Sequence, residues 1–233
     1  MKYLEAVKKL QDREVFHFAR VGDGEMLCMA DSKGQNCDGH KYYPELGKAL
    51  RKIYNEKRPY YVGLQPIKHG LFTNHEKYPQ DWCNADIFHE ASLEGKLQPF
   101  MKALMNRNVV MIGNRKHSKL AFVNIMIEVP TNNAWTKRLE VWESIKQVVQ
   151  SEYQKGLVLL FSCGMSSGVY IDALAKSKAG KYVTTIDTGS VFDPYIGRDT
   201  RSYHKKVIEI IEKDSSWNSY LRKEKGIPTN STK

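Results

Sequence analysis

The sequence predicts an α/β fold in which helices flank a largely parallel sheet within a single domain. Strand-like and helix-like segments alternate along the chain, which is the pattern of parallel α/β sheets. Residues 157–162, LVLLFS, form a continuous apolar run that is typical of a strand buried on both faces. The chain has 233 residues and no repeat or linker-like stretch, a length that suits one large domain. We expect the domain to span residues 1–225 and residues 226–233 to form a frayed tail.

The first half of the chain contains predicted elements of both kinds. Residues 15–21, VFHFARV, are rich in β-forming side chains and end at Gly22, which indicates a strand. Residues 60–64, YYVGL, indicate a second, shorter strand. The helices predicted in this half cover residues 2–12, 25–31, 44–56 and 93–106.

The second half shows the alternation more clearly. Residues 109–113, VVMIG, and 125–129, IMIEV, are predicted strands, and Pro130 closes the second of them. Apolar residues at helical spacing predict a long amphipathic helix over 136–154. The remaining predicted elements are the strand 157–162, a helix over 168–177, the strand 181–187 and a mostly helical segment over 202–223.

The charge of the chain favours anionic partners. Lys and Arg number 36 against 26 Asp and Glu, so the formal net charge is +10. Such a surplus suits nucleic acid, phosphorylated substrates or anionic lipid, although a solvated lysine-rich surface explains it equally well. The basic residues of the last predicted helix that can hold a polyanion are Lys205, Lys206, Arg222, Lys223 and Lys225.

Several classes of protein are disfavoured by what the sequence lacks. No apolar run approaches the length of a membrane span, and the N-terminus has no apolar signal region, so we expect a cytoplasmic protein. The histidine and cysteine spacings fit no zinc motif, and no Walker A or G-x-G-x-x-G motif is present. We expect reduced thiols at Cys28, Cys37, Cys83 and Cys163.

The first predicted strand ends in a run that suits a divalent cation, RVGDGE. Asp23 and Glu25 stand one residue apart and are flanked by glycines. Mg²⁺ and Mn²⁺ prefer oxygen ligands and often bridge protein carboxylates to substrate phosphates. Arg20 can bind a phosphate or hold a carboxylate in place. The alternative is a polar turn, and a second Asp-x-Glu match at Asp12 and Glu14 reads as a solvated helix end.

The turn after the strand 157–162, CGMSSG, allows two interpretations. A Gly/Ser turn into a helix N-terminus can bind a diphosphate through main-chain donors, here between Gly164 and Ser167. The run also matches the G-x-S-x-G nucleophile elbow, with Ser166, Asp193 and His204 as a serine-esterase triad. We disfavour the esterase because only one predicted strand follows the elbow and no HGGG-type loop precedes it.

Three further strand ends carry polar residues. Asp187 lies where such a sheet presents an acid to a ribose or sugar hydroxyl, unless it only caps a turn. Asp193 is a candidate general base, with His117 as a second candidate. Asn114 follows the strand VVMIG in a segment that offers donors for a phosphate. The segment 130–135, PTNNAW, offers amides and an aromatic face to a base or a sugar.

Three segments occur in this order along the chain: RVGDGE, PTNNAW and FSCG…IDTGSVFD. Together they resemble the GT-D-type glycosyltransferases, a family first catalogued as a domain of unknown function. The resemblance covers roughly residues 10–197. It implies a Rossmann-like fold, a UDP-sugar donor and a divalent metal on the Asp-x-Glu motif, here Asp23 and Glu25. It also implies a donor site lined by Arg20, Asn133, Gly164 and Asp187. This sequence departs from the family pattern with Val21 in place of a frequent Phe and with a serine-rich CGMSSG turn.

The resemblance implies a transfer reaction. A hydroxyl of the acceptor attacks the anomeric carbon of the sugar, and Mn²⁺ or Mg²⁺ neutralises the diphosphate leaving group. The acceptor is a glycan or glycoprotein precursor, or a hydroxylated base in DNA. A basic nucleic-acid-binding protein without catalysis stays open as an alternative. The predicted donor-site residues are Arg20, Gly22, Asn114, Asn133, Gly164, Ser166 and Asp187.

Overall fold

One parallel sheet organises the protein. The computed structural model describes residues 1–36, 39–65, 75–152 and 156–222. In this part of the chain the strands are β1 (His17–Val21), β2 (Tyr61–Leu64), β3 (Trp82–Asn84), β4 (Asn108–Gly113), β5 (Ile125–Glu128), β6 (Leu157–Phe161) and β7 (Thr184–Asp187). All neighbouring strands pair in parallel, in the order β3-β2-β1-β7-β6-β4-β5. The predicted α/β architecture is confirmed.

Helices cover both faces of the sheet. The described helices are α1 (Tyr3–Gln11), α2 (Asp23–Met29), α3 (Pro44–Tyr54), α4 (Ile87–Leu93), α5 (Gln98–Met105), α6 (Arg138–Glu152), α7 (Ser167–Ala175) and α8 (His204–Lys213). The buried apolar residues of α1, α4, α5 and α8 pack on one face, and those of α2, α3, α6 and α7 on the other. Side chains alternate between the faces, so that Phe18 joins the first core and Ala19 the second.

The middle strands explain the apolar run seen in the sequence. Every residue of β6 is buried, because β4 and β7 pair with its edges and helices cover its two faces. Leu160 packs on the face of α1, whereas Leu159 packs on the face of α7. A strand in this position has no solvent-facing side, so a polar residue within it would lack a partner.

The structure differs from the sequence prediction in three places. Strand β3 was not predicted, because three residues are too short to show a period. The helix predicted over 93–106 is α5, which spans only Gln98–Met105, whereas α4, which ends at Leu93, was not predicted; Gly95, with a φ of +69°, lies between the two helices. The last helix ends at Lys213 rather than 223. Its continuation is the 3₁₀ segment Ser215–Tyr220, which begins where the side chain of Asp214 accepts a hydrogen bond from the Ser216 N–H at 2.9 Å.

The strand order creates a crevice between β1 and β7. From β1 the chain moves outward to β2 and then to β3, while β7 returns to pair with the other edge of β1. Phe18 is opposite Tyr61 on one side and Ile186 on the other. In open parallel sheets, ligands bind beyond the carboxyl ends of the strands where the direction of winding reverses. A ligand-binding site is therefore expected at the carboxyl ends of β1 and β7.

The described residues settle some sequence expectations and leave others outside them. Cys28, Cys83 and Cys163 are free thiols, as expected, and Cys37 lies outside the described residues. The predicted tail 226–233, Lys223 and Lys225 also lie outside them. Among the described helices, none is both long enough and apolar enough to cross a membrane.

Candidate active site

Asp23 and Glu25 lie at the carboxyl end of β1, in the first turn of α2. The Gly22 N–H donates to Oε2 of Glu25 at 2.9 Å, and the Gly24 N–H donates to Oδ1 of Asp23 at 2.7 Å. Negative side chains are stabilised at a helix N-terminus by the unpaired N–H groups and the helix dipole. Asp23 is exposed and Glu25 is half-buried. One carboxylate therefore faces solvent and the other extends into the protein.

Arg20 lies one strand residue before this turn and is held in a fixed position. Its Nε donates to the carbonyl oxygen of Ala85 at 2.8 Å, and its Nη2 donates to Oδ1 of Asp86 at 2.9 Å. Gly189, with a φ of +53°, lies against the same guanidinium group. A Cβ at residue 189 would overlap Nη1 of Arg20, so only glycine leaves room for this arrangement.

Asp187 ends β7 beside Arg20 and is buried. Its Oδ1 accepts a hydrogen bond from the Gly189 N–H at 3.0 Å. Burial raises the pKa of Asp187 to about 7, against the lowering effect of Arg20, and the charge of Glu25 raises it further. Burial also raises the pKa of Glu25, while the Gly22 N–H and the charge of Arg20 lower it. Arg20, Glu25 and Asp187 therefore lie close enough to influence each other's charge.

Two carboxylates, Asp23 and Glu25, suit a divalent cation whose other ligands come from outside the protein. Among the described residues, no group of three or more His, Cys, Asp or Glu is arranged to hold a metal ion. Mg²⁺ often uses only one or two protein carboxylates, with waters and substrate phosphates completing the shell. Asp23 and Glu25 supply two carboxylates from one helical turn, and the exposed side chain of Asp23 is accessible to an ion.

A second group of predicted residues meets around His40. The Asn133 N–H donates to Nδ1 of His40 at 3.0 Å, and Oδ1 of Asn133 accepts from the Lys41 N–H at 2.8 Å. Gly164, with a φ of +63°, faces the same ring: a Cβ there would lie 3.1 Å from Nε2 of His40. His40 could not be identified from the sequence, because its neighbours are Gly164, in the turn after β6, and Asn133, 93 positions away.

The turn after β6 also contacts the Asp-x-Glu motif. A Cβ on Gly24 would lie 3.3 Å from both Sδ of Met165 and Nδ2 of Asn36. A small cavity of about 10 Å³ lies between the segments that carry His40, Asn133 and Ser166. The predicted donor-site residues Gly164, Ser166 and Asn133 are thus brought together, on the side of α2 that Met165 contacts.

His117 and Asp193, the two candidates for a general base, form a buried pair. Nε2 of His117 lies 3.2 Å from Oδ1 of Asp193, and Nδ1 lies 3.0 Å from the Asn114 carbonyl oxygen. The Thr200 hydroxyl donates to Oδ2 of Asp193 at 2.9 Å. Burial acts to raise the pKa of Asp193, but the contact with His117, the charge of Arg198 and the Thr200 hydroxyl together outweigh burial, and the pKa is lowered. His117 is 0% exposed and Asp193 is 5% exposed, so the pair joins the end of β4 to the segment after β7 from inside the protein.

The residues of the esterase interpretation do not form a chain of hydrogen bonds in the described structure. Nδ1 of His204 accepts from the Thr200 N–H at 3.1 Å. Asp193 is paired with His117, as described above. Ser166 is 2% exposed and lies beside the small cavity at the end of β6. The three residues lack the serine–histidine–carboxylate contacts that activate a nucleophile.

Asn114 connects two strand ends. Its Oδ1 accepts from the Lys116 N–H at 3.0 Å, and its Nδ2 donates to the Thr131 hydroxyl at 3.0 Å. The side chain therefore fixes the segment after β5 against the segment after β4. Both segments lie at the carboxyl edge of the sheet, because β4 and β5 pair in parallel.

Solved structures of known fold resemble this chain although its sequence does not match known families. No family model and no curated protein matches it. One similar structure is described as a new glycosyltransferase (DUF1792) from Streptococcus sanguinis, with 14% identity, a TM-score of 0.62 and coverage of 84% of this chain and 82% of that one. A second is described as the highly conserved domain of unknown function 1792 with a distinct glycosyltransferase fold, with 15% identity, a TM-score of 0.61 and coverage of 84% and 79%. A third, a selenomethionine-substituted DUF1792 structure, shares 14% identity at a TM-score of 0.63 and covers 98% and 94%. The chain therefore has the fold of these proteins.

Gly189→Ala is expected to destabilise the protein more than a matched glycine substitution. The new Cβ displaces Arg20 from Ala85 and Asp86, in addition to straining the backbone at a positive φ. Gly197→Ala is the control, because Gly197 has a φ of +72° and nothing within 4 Å of its Cβ position. Urea unfolding should show an extra loss of about 1–3 kcal/mol in Gly189→Ala. Equal losses in the two variants would contradict the tight contact at Arg20.

Acid is expected to destabilise the protein through His89. Burial, followed by the charges of Arg20, His204 and Arg201, holds the pKa of His89 well below its ordinary value of 6.5. The unfolded chain therefore binds a proton that the folded protein excludes, and the free energy of unfolding falls as the pH drops below 6.5. One excluded proton costs at most about 1.4 kcal/mol per pH unit.

The matched variant for this pH dependence is His89→Phe. It keeps a ring in the edge-on contact with Tyr203, 5.5 Å between centroids, and removes the titrating group. Its free energy of unfolding, measured between pH 7.5 and 5.5, should fall less steeply than that of the wild type. An identical slope would show that other groups carry the pH dependence, such as His204, whose pKa is also lowered by burial.

Proposed function

We propose that the protein is a metal-dependent glycosyltransferase that uses a nucleotide-sugar donor, with UDP-sugar as the expected class. The observation that carries the proposal is the meeting of Arg20, Glu25 and Asp187 at the adjacent carboxyl ends of β1 and β7, with the exposed Asp23 beside them. The fold supports it, because similar structures are described as glycosyltransferases.

The proposed roles follow from position and charge. Asp23 and Glu25 would hold Mn²⁺ or Mg²⁺, which when bound supplies positive charge that stabilises a departing diphosphate. The positive charge of Arg20 lowers the pKa of both Glu25 and Asp187 and so favours their ionised forms against the effect of burial. Asp187, whose Oδ1 accepts a hydrogen bond from the Gly189 N–H, is the proposed acceptor of a hydrogen bond from a ribose or sugar hydroxyl.

The second group of residues would bind the rest of the donor. Main-chain N–H groups from Gly164 to Ser167 begin α7 and its preceding 3₁₀ turn, where they can share the charge of a diphosphate. Asn133, Gly22 and Asn114 complete the proposed donor site. Asn133 is held in a left-handed conformation, with φ 58° and ψ 40°, by its bonds to His40 and Lys41.

We propose a positioning role for His117 and Asp193. The pair faces the protein interior and holds the segment that follows Asp187 against the end of β4. A group that removes the proton of an acceptor hydroxyl must reach that hydroxyl directly or through one water. The buried pair reaches the site through the backbone that it fixes, and not through its own nitrogen or oxygen atoms.

Thermal unfolding with UDP and Mn²⁺ tests the proposed donor site. The two ligands together should raise the unfolding temperature of the wild type, because binding at ~100 times Kd adds about 2.7 kcal/mol of stability. Asp23→Asn/Glu25→Gln should lose this shift. If no nucleotide changes the unfolding temperature of the wild type, even with Mn²⁺ present, the proposal is contradicted.

The chain offers a matched control for this experiment. Asp12 and Glu14 form a second Asp-x-Glu motif, but each is exposed and pairs with a lysine of α1 at 2.6 Å. Asp12→Asn/Glu14→Gln removes the same two charges far from the crevice. It should keep the full UDP and Mn²⁺ shift, so a loss in both double variants would indicate a general effect of charge.

A fluorophosphonate probe separates the transferase from the esterase. Ser166 is buried and lacks hydrogen bonds to Asp193 and His204 among the described contacts. We expect no labelling of Ser166 under conditions that label a control serine hydrolase completely. Labelling at Ser166, lost in Ser166→Ala, would instead support the esterase interpretation.

A further inference from the structure

A groove lies at the carboxyl end of β5, where the segment after this edge strand faces the beginning of α6. Its volume is about 430 Å³, within the range of roughly 300–1,000 Å³ typical of small-molecule sites. It is open to solvent along one side. The groove is lined by Glu128, Val129, Pro130, Thr131, Lys137, Glu140, Val141 and Ser144.

The lining combines apolar residues with polar residues that carry no free positive charge. Its apolar residues are Val129 and Val141, each 4% exposed, and the half-buried Pro130. Glu128 and Glu140 contribute carboxylates, and Thr131 and Ser144 contribute hydroxyls. The single cation of the lining, Lys137, is already paired with Glu140 at 2.8 Å, which leaves the groove with a formal charge of −1.

This chemistry selects for a neutral ligand rich in hydroxyl groups. Carboxylate oxygens accept hydrogen bonds from sugar hydroxyls, and protein hydroxyls both donate and accept them, while the ring of Pro130 can contact the C–H face of a sugar. The acidic balance repels phosphate groups, although the whole protein carries a net charge of +10. A DNA backbone is therefore a poor occupant of this groove.

The position of the groove also suits a second substrate of the proposed reaction. One segment, residues 130–135, separates it from the small cavity near Gly164. Pro130 and Thr131 line the groove, whereas Asn133 and Trp135 line the small cavity. The bond between Asn114 and Thr131 holds this dividing segment at the edge of the sheet.

We propose that the groove is the acceptor subsite and that the acceptor presents a neutral saccharide to it. The assignment of the groove as an acceptor subsite rests on the proposed transferase function, but saccharide binding in the groove does not. Two regions on opposite sides of residues 130–135 would thus bind the two substrates.

Ligand-observed saturation-transfer NMR on the full chain tests saccharide binding. The probes are methyl β-glucoside, maltose, lactose and N,N′-diacetylchitobiose at millimolar concentration. At least one should bind the wild type, and Ser144→Trp, which fills the groove, should weaken that binding at least tenfold. The proposal is overturned if no probe binds, or if Ser144→Trp binds as well as the wild type.

Gln150→Trp is the control on the same helix. Gln150 is exposed and lies nine residues after Val141, which places it on the opposite side of α6 at ~100° per residue. This variant should bind the sugar as the wild type does. A twelve-nucleotide DNA at the same concentration should not displace the sugar, and displacement would favour a polyanionic acceptor instead.

The UDP and Mn²⁺ shift keeps the two proposals distinguishable. Ser144→Trp should retain this shift, which shows that the variant is folded and that its donor site is intact. Sugar binding without any UDP and Mn²⁺ shift in the wild type would reject the transferase and leave the saccharide site standing. A normal shift without sugar binding would reject the acceptor groove alone.

Discussion

A fixed positive charge, that of Arg20, acts on both the half-buried Glu25 and the buried Asp187. Glu25 and Asp187 both have raised pKa values through burial, and Arg20 opposes the rise at each of them. Arg20 does so from a position that Ala85 and Asp86 set through hydrogen bonds. The strand order is the deeper cause, because it makes β1 and β7 neighbours although most of the chain separates them in sequence. A cation bound by the carboxylates would add positive charge beside that of Arg20. This charge would favour the ionised forms of acids whose pKa values burial has raised.

Much of the fold could be predicted from the sequence, because long strands and helices carry periodic patterns. Strand β6 is continuous in its apolar character, and the structure buries all of it. Strand β3 escaped prediction because its three residues depend on pairing with β2 rather than on a pattern of their own. The start of α5 was predicted too early and α4 was missed, because apolar spacing does not register the positive φ of Gly95 that separates the two helices.

The candidate site was predictable where it depends on strand ends and unpredictable where it depends on contacts between distant segments. Residues such as Asp23 and Asp187 follow predicted strands, and parallel pairing places them at one edge. His40 belongs to no strand end, yet its ring lies between Asn133 and Gly164. Likewise, the sequence suggested His117 as a base, but only the tertiary structure shows that its ring is enclosed and paired with Asp193.

Charge is distributed unevenly, and this bears on the acceptor of the proposed transfer. The net charge of +10 first suggested a polyanion, and the exposed Lys205 and Lys206 of α8 are consistent with that idea. Helix α8 packs on the face of α1, α4 and α5, whereas the groove beside α6 belongs to the other face. Surface lysines raise the rate of encounter with any anion, but they do not determine which molecule reaches the crevice. In the proposed transfer a reacting hydroxyl must lie within a few ångströms of the donor, so the groove next to residues 130–135 has more bearing on the proposed acceptor than the overall charge.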